Sequence, residues 1–336
     1  SVSVPVSACK KFGWDELLND DHTKIWSLDE FTPYLEQAAE DGSYEVLYNF
    51  DNNEVVNGSR EYYMLDKIAA INNFIGIDLS VEGATEATLV PDIPSYQEYV
   101  ALMNSWNEAG YIHENFATGQ ATSELDRLFV AEALTPDQQN YVNSRKELNK
   151  DGQGVVYVRM TDTYLNSTSS LGSGMSFASY TPDIDACLKF MDALYGNTEF
   201  ADLCLYGIEG VNYKRLDDGS CEKIKDTGYK FDTWATSNVM TVSLENTDSK
   251  DKKEQYAAFN AAAKDSILMG FVFDRTKVDA EYNACNAVKA EYQKMVEWGF
   301  MGEEGLQEYS DALDAAGVQV VLDELNAQLA EFFAAK

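Results

Sequence analysis

Cationic side chains are scarce: 25 Lys and Arg stand against 57 Asp and Glu, leaving a formal charge of -32 at pH 7. Such a field repels phosphate backbones and anionic headgroups, so nucleic acid and the membrane surface are excluded as partners. Histidine is scarcer still. Neither His22 nor His113 has a cysteine or second histidine at ligand spacing, which argues against a His-based triad or zinc site; neither metal nor cofactor is expected. The five cysteines, Cys9, Cys187, Cys204, Cys221 and Cys285, are odd in number and form no C-x-x-C pair. That excludes a disulfide framework; Cys187 and Cys285 fit apolar helix faces, while a Cys204 to Cys221 bridge stays open. Runs of about 20 apolar residues are missing, so no helical membrane span is expected. The opening residues SVSVPVSACKKFGWD lack a basic segment followed by an apolar one, which places any secretion signal upstream of Ser1 or already removed. Neither G-x-G-x-x-G nor a P-loop occurs.

Apolar residues, by contrast, make up 45% of 336 positions, enough for a sizeable core in two domains or lobes. Ser27 to Glu30 forms a capping box ahead of Phe31, Tyr34, Leu35 and Ala38, and Asp41-Gly42 stops that helix. A strand is expected over 44–50, a helix over 62–74, and another opened by a Ser95 and Glu98 box with Tyr99, Met103 and Trp106 on one face. A further helix is expected over 123–147, broken at Thr135-Pro136, and 155–160 reads as a strand. Ser/Gly-rich 166–176 is the most linker-like stretch. Thr181 as cap and Pro182 at the first position predict a helix carrying Ile184, Cys187, Leu188, Met191 and Leu194 to a stop at Gly196. Beyond Lys252 the chain is predicted to be helical except at LMGFVFD, 268–274, with core stripes at Cys285, Val288, Tyr292 and Met295, at Leu306, Tyr309 and Leu313, and at Val321, Leu325, Leu329 and Phe332. Helices interspersed with short strands indicate an α/β fold.

Chemistry is harder to find. Asp51 to Gly58 lacks the alternating acids of a calcium loop and reads as a solvated turn. Carboxylates are so numerous that no pair stands out as glycosidase machinery. The 20 Tyr, 16 Phe and 5 Trp are more telling, because aromatic faces beside amides and carboxylates suit sugar rings; Trp26 and Trp106 are assigned to the core.

Three stretches carry a resemblance: LMNSWNEAGYIHENFAT, the run from MSFASYTPDIDACLKF to LCLYGIEGVNY, and the tail beginning FNAAAKDSILMGFVFD and reaching LDAAGVQVVLDELNAQL. From about Ser95 onward the chain resembles a family 1 extracellular solute-binding protein of ABC importers, of the lipoprotein type with a C-terminal domain of unknown function. The resemblance implies a two-lobed periplasmic-binding-protein-like fold with a helical C-terminal bundle. It implies lobe 2 over 1–153, a hinge crossing and lobe 1 portion over 154–224, and a return to lobe 2 over 225–336, the first lobe being incomplete at its beginning. It also implies a cell-surface, non-enzymatic, monomeric protein that captures an oligosaccharide between lobes for a membrane permease. A peptide or other small solute, and a glycoside-acting enzyme, stand as alternatives. Trp234 and Asn238 are the expected ligand contacts, combining a stacking ring with an amide just past the second crossing. Tyr206, Glu209 and Tyr213 are expected at the hinge, where Gly207 and Gly210 shape the backbone and where side chains reach the ligand.

Overall fold

The computed structural model describes residues 1–21, 23–50, 65–66, 74–78, 80–118, 127–131, 154–165, 175–231 and 238–336. The 51–58 turn, most of the 166–176 linker, His22 and Trp234 lie outside them, and so does the helix expected over 123–147 except at Arg127–Ala131, where pairing with distant strands makes a strand instead. The chain groups into two compact units, the first formed by Ser1–Leu134, Val142–Ser167 and Lys264–Lys336, the second by Thr135–Tyr141 and Thr168–Ala263.

In the first unit, β1 (Val2–Pro5) leads into α1 (Val6–Phe12) and α2 (Asp15–Leu18), then α3 (Thr32–Asp41), β2 (Val46–Phe50), β3 (Leu65–Asp66), β4 (Ile75–Asp78) and β5 (Thr88–Leu89). Next come α4 (Pro94–Glu108), α5 (Asn115–Thr118), β6 (Arg127–Ala131), β7 (Val155–Val158) and β8 (Tyr164–Leu165). The main sheet has the order β2-β6-β1-β7, with β1 antiparallel to both neighbours and β2 parallel to β6. All four β1 residues are buried, so the strand is covered on both faces.

The Ser27 box is present: the Glu30 carboxylate accepts from the Ser27 N–H at 2.9 Å, and α3 stops at left-handed Gly42. Ser95 is not a cap. Helix α4 starts one residue earlier at Pro94, whose fixed φ suits a first helical position, leaving Ser95 inside the first turn. The helix expected over 62–74 is contradicted at Leu65–Asp66, which pairs antiparallel with Asp78 and Ile77; cross-strand pairing overrides local helical spacing there. A third element of the first unit returns after the second: β11 (Lys264–Asp265) lies parallel to β8, so the chain leaves and re-enters this unit on adjacent strands.

The tail then forms α9 (Asp279–Glu297), α10 (Gly302–Ala315) and α11 (Val318–Ala335). The three expected stripes face inward: Cys285, Tyr309, Leu313, Val321, Leu325 and Leu329 are buried and join one core with Trp26, Trp106 and the sheet. Glu297 is fully buried, and Tyr96 Oη and Gln293 Nε2 donate to its Oε1 at 3.1 and 2.8 Å.

The second unit holds α6 (Ile184–Gly196), α7 (Thr198–Tyr206), a hairpin of β9 (Tyr213–Arg215) and β10 (Cys221–Lys223), and α8 (Lys252–Ala262). Asp183, not Thr181, caps α6, accepting from Ala186 N–H at 2.9 Å; the charged oxygen next to the first turn is the stronger acceptor. The apolar stripe expected on α6 is largely uncovered: its one buried member is Leu194. Its Cys187 is half-buried rather than core. Among the described residues no helix is long and apolar enough to cross a membrane.

Candidate functional site

Three of the five singled-out residues, Tyr206, Glu209 and Tyr213, fall around the turn that ends α7 in the second unit, and Asn238 lies further along the same unit. Gly207 takes φ +85°, ψ -141°, a conformation that essentially only glycine holds. A Cβ there would stand 2.6 Å from Asn212 Oδ1, the atom that accepts from Ile208 N–H at 2.9 Å. The reversal finishes where Gly210 N–H donates to the Tyr213 carbonyl at 2.8 Å, so the turn feeds directly into β9. Gly207 is therefore needed for close approach as well as for φ.

Tyr206 and Tyr213 both lie in the small core of this unit, with Ala201, Leu205, Cys221 and Val242, and their ring centroids are 5.5 Å apart. Tyr206 Oη donates to Ser243 carbonyl at 2.6 Å, and burial first, then the Glu245 carboxylate, holds its phenol well above the ordinary range. Glu209 is exposed at the tip of the turn, where its backbone bridges to Tyr213. Asn238 is half-buried; its Oδ1 accepts from Met240 N–H at 2.9 Å and its carbonyl from Thr241 N–H at 2.9 Å. Asn238 thus shapes the loop that follows 232–237.

Beneath this loop lies a charge network that the sequence did not advertise. Asp202, 1% exposed, accepts from Ser243 N–H at 2.7 Å, Ser243 Oγ at 2.6 Å and Arg215 Nη2 at 2.8 Å. Arg215 also donates to Gly219 carbonyl at 3.2 Å, and the bond to Asp202 raises its already high pKa. The network ties α7, the hairpin and the 238–245 segment together. One signal was legible: Asp202 occupies an apolar helical position, between Ala201 and Leu205 on the buried face of α7. Burial also pushes the Cys221 thiol up to about 11, and neither Cys204 nor Cys221 is bridged.

A cavity of about 40 Å³ is lined by Leu205, Tyr206, Val242, Ser243, Asp248 and Lys252, among others. That is room for water, against roughly 300–1,000 Å³ for a small-molecule pocket. A larger open groove of about 620 Å³ lies in the first unit between the GFVFD motif and α11. Its walls are Phe271 and Phe332, 5.3 Å apart edge to face, and its rim is internally paired: Lys277 with Glu324 at 2.8 Å, and Gln328 Nε2 to Asp274 carbonyl at 2.8 Å. Asp274 and Glu324 are held below the ordinary carboxylate range by hydrogen bonds from Thr276 and Lys277, the opposite of what a general acid needs. Among the described residues no group of three or more His, Cys, Asp and Glu could hold a metal.

Residues 267–334, which include this groove, match the family model described as a domain of unknown function, DUF3502. Over 348 aligned residues the chain is 22% identical to a carbohydrate ABC transporter substrate-binding protein of Streptococcus pneumoniae serotype 4, covering 98% of this chain and 68% of that protein. The structure of the N-glycan transport solute binding protein NgtS from Streptococcus pneumoniae superposes with a TM-score of 0.80 at 18% identity, over 98% of this chain and 72% of NgtS. Its complex with Man5GlcNAc gives 0.77 at 18% identity, over 100% and 72%. An extracellular solute-binding protein from Bifidobacterium longum subsp. infantis gives 0.51 at 12% identity, over 98% and 72%. The fold is that of the solute-binding proteins, as the resemblance implied, and these relatives are transport binding proteins rather than enzymes.

Proposed function

We propose that this chain is the oligosaccharide-capturing component of an ABC importer, working as a monomer at the cell surface and delivering its ligand to a membrane permease. The observation that carries this reading is the likeness to NgtS, whose structures include complexes with Man1GlcNAc and Man5GlcNAc. The acidic, aromatic-rich composition accords with it, since carboxylates and ring faces answer a sugar's hydroxyls and C–H faces. The lobe assignment 1–153, 154–224 and 225–336 belongs to the same proposal.

Within it, Trp234 stacks on the ligand and Asn238 contributes its amide. Tyr206 and Tyr213 act from the core beside Val242 and Ser243, and Glu209 from the exposed turn next to them. Capture works through differential affinity: the conformer offered to the permease must bind the sugar more tightly than the empty one does. The test is a thermal-shift titration with Man5GlcNAc, other glycans and peptides. A ligand at 100 times its Kd should add about 2.7 kcal/mol. A saturable rise with one glycan class, lost in Trp234→Ala, supports the reading. A rise with peptides alone sinks the carbohydrate assignment.

A further inference from the structure

The GFVFD motif, residues 270–274, runs along α11 as a lone extended segment. Burial alternates through it: Phe271 and Phe273 are each 4% exposed, Val272 is 76% exposed, and Asp274 is exposed as well. Alternation with a period of two is the mark of a strand, yet among the described residues no strand pairs with this one. Three contacts fix its course. Lys277 meets Glu324, Asp274 meets Gln328 and Phe271 meets Phe332, so the segment runs antiparallel to the helix. Glu324, Gln328 and Phe332 are one turn apart and share a face of α11.

At Asp274 the helix supplies what a neighbouring strand would. The Gln328 amide accepts from Asp274 N–H at 2.9 Å and donates to its carbonyl at 2.8 Å, the same exchange that joins a hydrogen-bonded pair in an antiparallel ladder. Two residues back the exchange stops. In an extended chain the N–H and C=O of alternate residues point to one side, so those of Val272 face the groove along with those of Asp274. Among the described residues neither Val272 group has a hydrogen-bond partner. The groove holds about 620 Å³ and sets Asp274, Glu324 and Glu331 against Lys277. Lys277 is already held by Glu324, whereas among the described residues the Glu331 carboxylate accepts no hydrogen bond.

We propose that this groove docks an extended segment of a protein partner in which apolar and cationic side chains alternate. One partner residue exchanges two hydrogen bonds with the Val272 backbone, continuing the ladder that Gln328 closes at Asp274. Apolar side chains of the segment pack on Val272 and Phe332, and cationic ones answer the three carboxylates. Charge complementarity selects this occupant: three carboxylates against one ammonium line the groove, in a chain of charge -32. The same charge opposes a second copy of this chain. An oligosaccharide fits less well, because Phe271 is buried and Phe332 meets Phe271 and Phe333 edge to face, with Lys336 Nζ 5.4 Å from its ring centre. These rings form a wall rather than a stacking platform. The inference does not depend on which solute the protein captures.

The test titrates the 336-residue chain into a fluorescein-labelled heptapeptide of alternating valine and lysine, followed by anisotropy at about 0.15 M salt. Binding should saturate, and hydrogen exchange at the Val272 amide should slow by about tenfold or more in the complex. Methylating the backbone nitrogens of the peptide keeps its charge and removes its donors, and should weaken binding by about tenfold or more. Replacing its lysines with glutamates should abolish binding. Glu331→Lys should weaken the lysine peptide by about tenfold while leaving the melting temperature of the protein unchanged. Equal binding of the methylated peptide overturns the inference, since attraction by net charge alone then accounts for the affinity. So does an absence of saturable binding, unaltered exchange at Val272, or binding undiminished by Glu331→Lys. Displacement of the peptide by Man5GlcNAc also overturns it and assigns the groove to sugar.

Discussion

At Asp202 the two halves of an ion pair have different surroundings, and their deletions should differ accordingly. The Asp202 side chain is 1% exposed and Arg215 35%. Arg215→Ala leaves a buried carboxylate whose remaining partners are the Ser243 groups, and should cost about 3–5 kcal/mol. Asp202→Ala leaves a guanidinium that can turn to water and an unmet Ser243 N–H, for about 1–3 kcal/mol. Urea unfolding of both variants checks the order, and a larger loss in Asp202→Ala would mean that Arg215 draws most of its support elsewhere. Arg215→Lys should not restore stability, because one ammonium cannot reach Asp202, Ser243 and Gly219 carbonyl together as the guanidinium fork does. Sequence spacing concealed this network, whose members are separated by 13 and 41 positions. The resemblance pointed instead to Tyr206, Glu209 and Tyr213 at the hinge, and the two tyrosine rings lie in the core of the second unit.

Among the elements, α4 and the end of α9 meet closely. Gly299 has φ +70°, and a Cβ there would lie 2.3 Å from Met103 carbonyl oxygen and 2.7 Å from Asn104 nitrogen. Both are helix backbone, which cannot turn aside. Gly299→Ala should therefore cost about 3 kcal/mol or more, combining left-handed strain with overpacking. Gly110→Ala shares the strain, at φ +78°, but meets nothing within 4 Å, and should cost about 1–2 kcal/mol. Comparable losses would show that Gly299 matters for φ alone. Helices α9 to α11 were legible in sequence because their stripes meet a core made by the same chain. The α6 stripe was equally legible as a stripe, yet its burial could not follow from periodicity, which reports that a face is apolar and not what covers it. Boundaries went astray where two signals competed: Pro94 against Ser95, Asp183 against Thr181. The helix expected over 62–74 went astray because strand pairing between distant segments leaves no local mark.

For the whole molecule, charge is the property that composition fixed most firmly. Surface pairs such as Lys24 with Glu16 at 2.9 Å and Lys223 with Glu245 at 2.6 Å engage few of the acids and are exposed, so each contributes about 0–1 kcal/mol. The unpaired carboxylates repel one another, and at about 0.01 M salt that repulsion reaches roughly 30 Å, the width of a domain, against about 8 Å at 0.15 M. Screening thus removes more repulsion than attraction. The melting temperature should rise between those two salt concentrations, by about 2–4 °C for each kcal/mol relieved. Differential scanning calorimetry with sodium chloride and with an uncharged osmolyte at matched osmolality separates screening from preferential exclusion, because only the salt should act at this low concentration. A melting temperature that falls on adding salt would show that the ion pairs, Asp202 with Arg215 foremost, outweigh the net charge of -32.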